Sequence, residues 1–110
     1  MSQWIDVCSV DDLEPESGVC VLLDGKQIAI FYFPLTDEIY AISNYDPFSK
    51  TNSLSRGMVG DLQGEPMVAA PLYKQHFSLK TGVCLDDETV KVETYPVRVE
   101  NGRVEICIAE

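Results

Sequence analysis

The stretch Ala70-Pro71-Leu72-Tyr73-Lys74-Gln75-His76-Phe77-Ser78-Leu79-Lys80-Thr81-Gly82 decides how the chain is read. It describes a proline-containing loop, then a strand, then a turn. Phe77 and Leu79 alternate with Ser78 and Lys80, the two-residue period of a half-buried strand. On that period His76, the only histidine, falls on the face opposite Phe77 and Leu79. Gly82 closes the segment with a residue that tolerates positive φ.

The chain on either side has the same grain. Residues 67–70 read as a strand leading into the loop, residues 58–64 are weakly patterned, and residues 44–57 form a long polar loop around Pro47. Upstream, residues 4–8 and 19–23 are short apolar strands, joined through a single helical turn capped by Ser9 or Asp11 and pinned by Leu13. Asp24-Gly25 is a hairpin signal, with residues 27–33 as the returning strand. Thr36-Asp37 turns the chain again before residues 39–42. Beyond Gly82, residues 83–89 are acidic and loop-like and residues 90–94 could pair as a strand. Residues 95–100 and 103–108 flank Asn101-Gly102, the strongest hairpin signal of all. The expected fold is all-β, a small barrel or sandwich of short antiparallel strands, with residues 1–110 as one domain.

Composition narrows the function. The formal net charge is −10, and acidic residues are spread over the whole chain. Such a surface repels nucleic-acid backbones and anionic membranes and does not gather small anionic substrates. A protein or cationic partner suits it better. No apolar run approaches the roughly 20 residues that cross a bilayer. The start Met-Ser-Gln-Trp-Ile-Asp has neither the basic residues nor the apolar centre of a signal peptide, so a cytoplasmic protein is expected.

Cys8, Cys20, Cys84 and Cys107 are scattered without paired metal-ligand spacing, which favours free thiols. Cys20 and Cys107 sit in apolar strand-like runs, where a thiol behaves as a small hydrophobe. A single histidine leaves no recognisable Ser–His or Cys–His pair, and neither a P-loop nor a dinucleotide fingerprint is present. Asp11-Asp12, Asp37-Glu38 and Asp86-Asp87-Glu88 read as solvated turns. No independent catalytic site is expected.

The frame Pro71, Phe77, Leu79, Thr81, Gly82 resembles the second half of a Rieske iron–sulfur motif, Cys-Pro-x-His-Gly-x-x-Phe-x-Leu-x-x-Gly. Asn44-Tyr45-Asp46-Pro47-Phe48 followed by Leu54-Ser55-Arg56-Gly57 is similar to the first half, Asn-x-Cys-Pro-His followed by Leu-Ser-x-Gly. More narrowly, nearly the whole chain resembles the small subunits of assimilatory NADH-dependent nitrite reductases. That likeness is carried by Met-Ser-Gln-Trp at the start, by Ala41-Ile42-Ser43-Asn44, and by the Asp46-Pro47-Phe48 and Leu54-Ser55-Arg56-Gly57 segments. Gln63-Gly64-Glu65, Val68-Ala69, Pro71-Leu72 and Lys74-Gln75 continue it.

The resemblance implies a Rieske-like fold with two vestigial cluster-binding loops. Its four ligand positions hold Asp46, Phe48, Ala70 and Tyr73 in place of two cysteines and two histidines. Phe48 and Ala70 have no donor atom, so no cluster, cofactor or metal is expected in this chain. Phe48 and Tyr73 are expected to fill the volume the cluster would occupy. Tyr45, Phe48, Arg56, Leu72, Tyr73 and Lys74 are the candidate residues for docking a partner. The implied partner is a nitrite reductase large subunit carrying FAD, a 4Fe–4S cluster and sirohaem, with this chain as its non-catalytic accessory subunit. The alternatives are a free-standing Rieske-fold binding module with an unrelated partner, and an electron-carrying Rieske ferredoxin.

Overall fold

Two-residue turns set the strand pairing. Asp24-Gly25, Gln63-Gly64 and Asn101-Gly102 each place both central residues at positive φ, between 53° and 88°. That is the type I′ backbone, whose twist matches that of the strands it joins. The computed structural model describes residues 2–109. Its strands are β1 (Ser2–Ser9), β2 (Gly18–Leu23), β3 (Lys26–Phe33), β4 (Glu38–Ser43), β5 (Tyr45–Asp46) and β6 (Thr51–Asn52), followed by β7 (Met58–Leu62), β8 (Glu65–Ala69), β9 (His76–Ser78), β10 (Thr94–Tyr95), β11 (Val97–Glu100) and β12 (Arg103–Ala109). The three turns close the hairpins β2–β3, β7–β8 and β11–β12. The fold is all-β, as the spacing of turns predicts.

The strands form sheets in the orders β10-β4-β3-β2, β1-β12-β11 and β7-β8-β9, with β5–β6 as a separate short ribbon. Strand β3 explains the layering. Its run Ile28-Ala29-Ile30-Phe31 is fully buried at every residue, the pattern of a strand covered on both faces. Ala29 and Phe31 enter one core with Ile42, Leu54, Val68, Ala70, Phe77 and Leu79. Ile28 and Ile30 enter a second core with Cys8, Leu13, Ala41, Val104 and Ile106. The β2–β3–β4 sheet thus lies between the β7–β9 sheet, with its loops, and the β1–β12–β11 sheet. The first core is the floor of the site described below.

Local features follow the sequence closely in places. Ser9 and Asp12 form a capping box around the 3-10 turn Val10–Asp12, and Leu13 is buried behind it. Gly82 is required twice over. Its φ is +78°, and a Cβ there would lie 2.1 Å from the Val92 carbonyl oxygen.

Other expectations are corrected. The loop over residues 44–57 contains the β5–β6 ribbon and a 3-10 turn, Leu54–Arg56. The weakly patterned residues 58–64 supply β7. Residues 90–94 do not form a strand over that span: the Val90 and Val92 amides donate to the Asp87 and Gly82 carbonyls, so the chain wraps the Gly82 turn. The alternation after His76 ends early, because Ser78 is buried along with Phe77 and Leu79. Its hydroxyl donates to Glu65 and accepts from the Lys80 and Thr81 amides, so an interior position is satisfied by hydrogen bonds.

All four cysteines are free, but burial falls on Cys8 and Cys84, whereas Cys20 is exposed on β2 and Cys107 is half-buried. The Cys20 sulfur accepts from Asn44 Nδ2 at 3.5 Å. Desolvation pushes the Cys20 and Cys8 thiols up, which removes thiolate character from both.

Candidate functional site

The two loops that resemble cluster-binding loops converge over the first core, and they are built differently. The first begins at Asn44, directly after β4. Asn44 is 2% exposed and acts as a hub. Its Oδ1 accepts from the Ser55 amide at 2.7 Å, and its Nδ2 donates to Gln27 Oε1 at 3.1 Å. Its main chain donates to the Gln27 carbonyl and accepts from the Leu54 amide. One side chain therefore ties β3, β4 and the 3-10 turn together.

Asp46, where the resembled motif has a cysteine, is fully buried. Its Oδ1 accepts from the Phe48 amide at 2.9 Å and its Oδ2 from the Ser49 hydroxyl at 2.9 Å. The Asp46 carbonyl accepts from the Lys50 amide. Hydroxyl contacts continue from Ser49 to Thr51 to Ser53 at 2.7 and 2.9 Å. Asp46 thus organises the loop from within, as a short acceptor side chain does in an Asx turn. Phe48, where the resembled motif has a histidine, is half-buried, with its ring 6.1 Å from that of Phe77. It covers the first core as expected.

The second loop spans residues 70–75. The Ala70 amide donates to the Gln75 carbonyl and the Lys74 amide to the Ala70 carbonyl, with Lys74 at φ 65°. Ala70, where the resembled motif has its second cysteine, is fully buried in the first core. Tyr73, where the resembled motif has its second histidine, is 60% exposed, and Leu72 beside it is 59% exposed. The expectation that Tyr73 fills the vacated volume is therefore corrected. Phe48 and Ala70 do the packing, and Tyr73 stands in solvent.

These placements fit no iron–sulfur cluster. Two of the four positions have no donor atom and are drawn into the core. The oxygens of the third are bound to its own loop, and the fourth is out in solvent. Among the described residues no group of three or more His, Cys, Asp or Glu side chains is arranged to hold a metal ion. His76 is engaged elsewhere. Asp86 Oδ2 accepts from the His76 amide at 2.7 Å and lies 2.9 Å from its Nδ1. The His76 backbone N–H, then its ring, holds the Asp86 carboxyl below its ordinary value. Sequence reading took Asp86 for a solvated turn acid. It instead fixes the start of β9, a contact ten residues away that no local pattern announces. A groove of about 470 Å³ lined by Phe33, Glu38, Val59, Asp61, Pro66 and Lys80 contains neither histidine nor cysteine.

Of the six candidate docking residues, Tyr45, Arg56, Leu72, Tyr73 and Lys74 are exposed and Phe48 is half-buried. Both loops rest on the first core through Phe48, Leu54 and Ala70. Gly57 locks them side by side, since a Cβ there would lie 2.3 Å from the Ala69 carbonyl oxygen. That contact sets Arg56 and Met58 at the border of the second loop. Met58 is 75% exposed and pairs with Ala69. It joins the apolar surface, although its weakly patterned segment gave no sign of it.

Comparison with known proteins agrees with this geometry. The Rieske-like 2Fe-2S domain family matches residues 3–107. The chain is 49% identical over 106 residues to the nitrite reductase (NADH) small subunit of Escherichia coli (strain K12), covering 96% of this chain and 98% of that one. It is 43% identical over 101 residues to a nitrite reductase NAD(P)H large subunit of Klebsiella oxytoca, covering 92% of this chain and 10% of that protein. The crystal structure of a protein described as a putative NADH-dependent nitrite reductase small subunit from Mycobacterium tuberculosis superposes with a TM-score of 0.94. It is 43% identical, over 100% of this chain and 98% of that one.

Proposed function

Because the chain belongs to the family of NADH nitrite reductase small subunits and carries their Rieske-like domain, we propose that it is the accessory subunit of a cytoplasmic nitrite reductase. It docks onto a large subunit and contributes no redox centre of its own. The large subunit carries FAD, a 4Fe–4S cluster and sirohaem and uses NADH to reduce nitrite to ammonium. This chain contributes a folded surface. The ligand positions support that division of labour, since their side chains are spent on packing, on loop hydrogen bonds or on exposed area.

One observation carries the choice of partner. In Klebsiella oxytoca a segment 43% identical to this chain makes up 10% of a large-subunit chain. There the corresponding segment is covalently attached to the large subunit, an arrangement that raises its effective concentration at any docking site. The same relationship also supports one small subunit per large chain. The absence of any membrane-length apolar helix among the described residues is compatible with this setting. The test is size-exclusion chromatography with light scattering on a mixture of this protein and the purified large subunit. A single species containing one copy of each is expected. Separate elution at every ratio would overturn the assignment.

A further inference from the structure

The two loops differ from the rest of the surface in charge as well as in shape. The formal net charge is −10. Yet residues 44–57 and 70–75 carry Lys50, Arg56 and Lys74 against the single acid Asp46, which is buried and bound to its own loop. Elsewhere, Lys26, Arg98 and Arg103 are matched with Glu93, Glu105 and Asp6, while, among the described residues, Lys80 and Lys91 stand outside such pairs. Among the described residues, Lys50, Arg56 and Lys74 are in no such pair. Asp86, which reaches the end of the second loop at His76, is engaged by that residue.

Resting on the small-subunit reading above, we infer that this chain docks through the two vestigial loops onto an acidic patch of the large subunit that surrounds an apolar pocket. Leu72 and Tyr73 supply the exposed apolar centre. Arg56 and Lys74 supply cations at the rim, where Arg can pair with a carboxylate through two parallel hydrogen bonds. The acidic body of the chain is repelled by such a patch. Approach with the loops leading is therefore the orientation that electrostatics selects. Anions are not the target: the partner is a protein surface bearing carboxylates, because the apolar centre needs a pocket to enter.

The experiment measures equilibrium binding of the full chain to the purified large-subunit holoenzyme from about 0.05 to about 0.5 M salt, a range over which the screening length shortens several-fold. Kd is expected to rise about tenfold or more across that range. Arg56→Glu combined with Lys74→Glu should weaken binding by about tenfold or more at low salt and flatten the salt dependence. Leu72→Ser with Tyr73→Ser should weaken binding while leaving the salt dependence in place. Asp11→Asn with Glu14→Gln, on the opposite charge class, should bind at least as tightly as the parent. All of these positions are exposed, and circular dichroism checks the fold of each variant.

Salt-independent binding, or parental affinity in the Arg56/Lys74 variant, would overturn the proposal. Co-elution in one complex would still support the small-subunit reading in that event. Failure of the parent chain to bind at any salt would overturn both.

Discussion

The two loops that resemble cluster-binding loops are built in opposite ways. In the first, Asp46 and Phe48 are turned to internal use. A buried acceptor gathers the Phe48 amide and the Ser49 hydroxyl, and a ring lies over Phe77. Asn44 binds the whole loop to β3 and the 3-10 turn. In the second, only Ala70 is drawn into the core, and Leu72 and Tyr73 stay more than half exposed. A metal cluster crosslinks its loops. Here hydrogen bonds and an aromatic pair perform that role for one loop, and the other is left free to present side chains. The paired loops thus divide into a structural half and a surface half.

The strongest challenge to this contrast is aimed at the shared floor. Phe77 is fully buried beneath both loops, and Phe77→Ala is expected to cost about 3–5 kcal/mol in urea unfolding. A cost near zero would mean that the loops do not depend on the core.

The contrast itself is sharpened by placing the same residue at the two positions where the resembled motif has histidine. Phe48→Asp sets a charge against the Phe77 ring and should destabilise by roughly 2–4 kcal/mol. Tyr73→Asp should stay within about 0.5 kcal/mol of the parent, because the side chain is in solvent, and should instead weaken the complex. Equal stability losses in both variants would erase the distinction.

A smaller effect belongs to the hub of the first loop. Asn44→Ala leaves the Ser55 amide without its side-chain acceptor and should lower stability by about 2 kcal/mol. Chemical denaturation at neutral pH reads it directly.

The smallest expected effect is on pH dependence. Hydrogen bonds from His76 hold Asp86 below its unfolded pKa, so the tie contributes stability above about pH 4 and loses it as pH falls through the lowered value. Asp86→Asn should flatten the acid limb of the stability profile and change little near neutrality beyond the lost charge. An unaltered acid limb would show that the tie is already broken in solution.

Much of this was legible because the physics was local. Asp24-Gly25 and Asn101-Gly102 announce type I′ turns by composition. The unbroken run Ile28–Phe31 announces a strand buried on both faces only in retrospect, once two cores claim alternate residues. Gln63-Gly64 makes the same turn with a less typical first residue, so its composition does not announce it.

What remained hidden depends on distant partners. Ser78 looks like the polar side of a half-buried strand, but Glu65 and two turn amides satisfy it inside. Cys20 lies in an apolar run that ends up at a sheet edge, so composition misjudged its burial. The site shows the same limit. The sequence marks Phe48 and Tyr73 as equivalent replacements of histidine. Only the packing around Phe77 shows that one is core and the other surface.

The account stands most directly on one titration: nitrite-dependent NADH oxidation by the purified large subunit as this protein is added. It predicts a saturable rise that levels off at one small subunit per large chain, with no iron bound to the added protein. A flat response over the whole titration, with no complex formed, would contradict it.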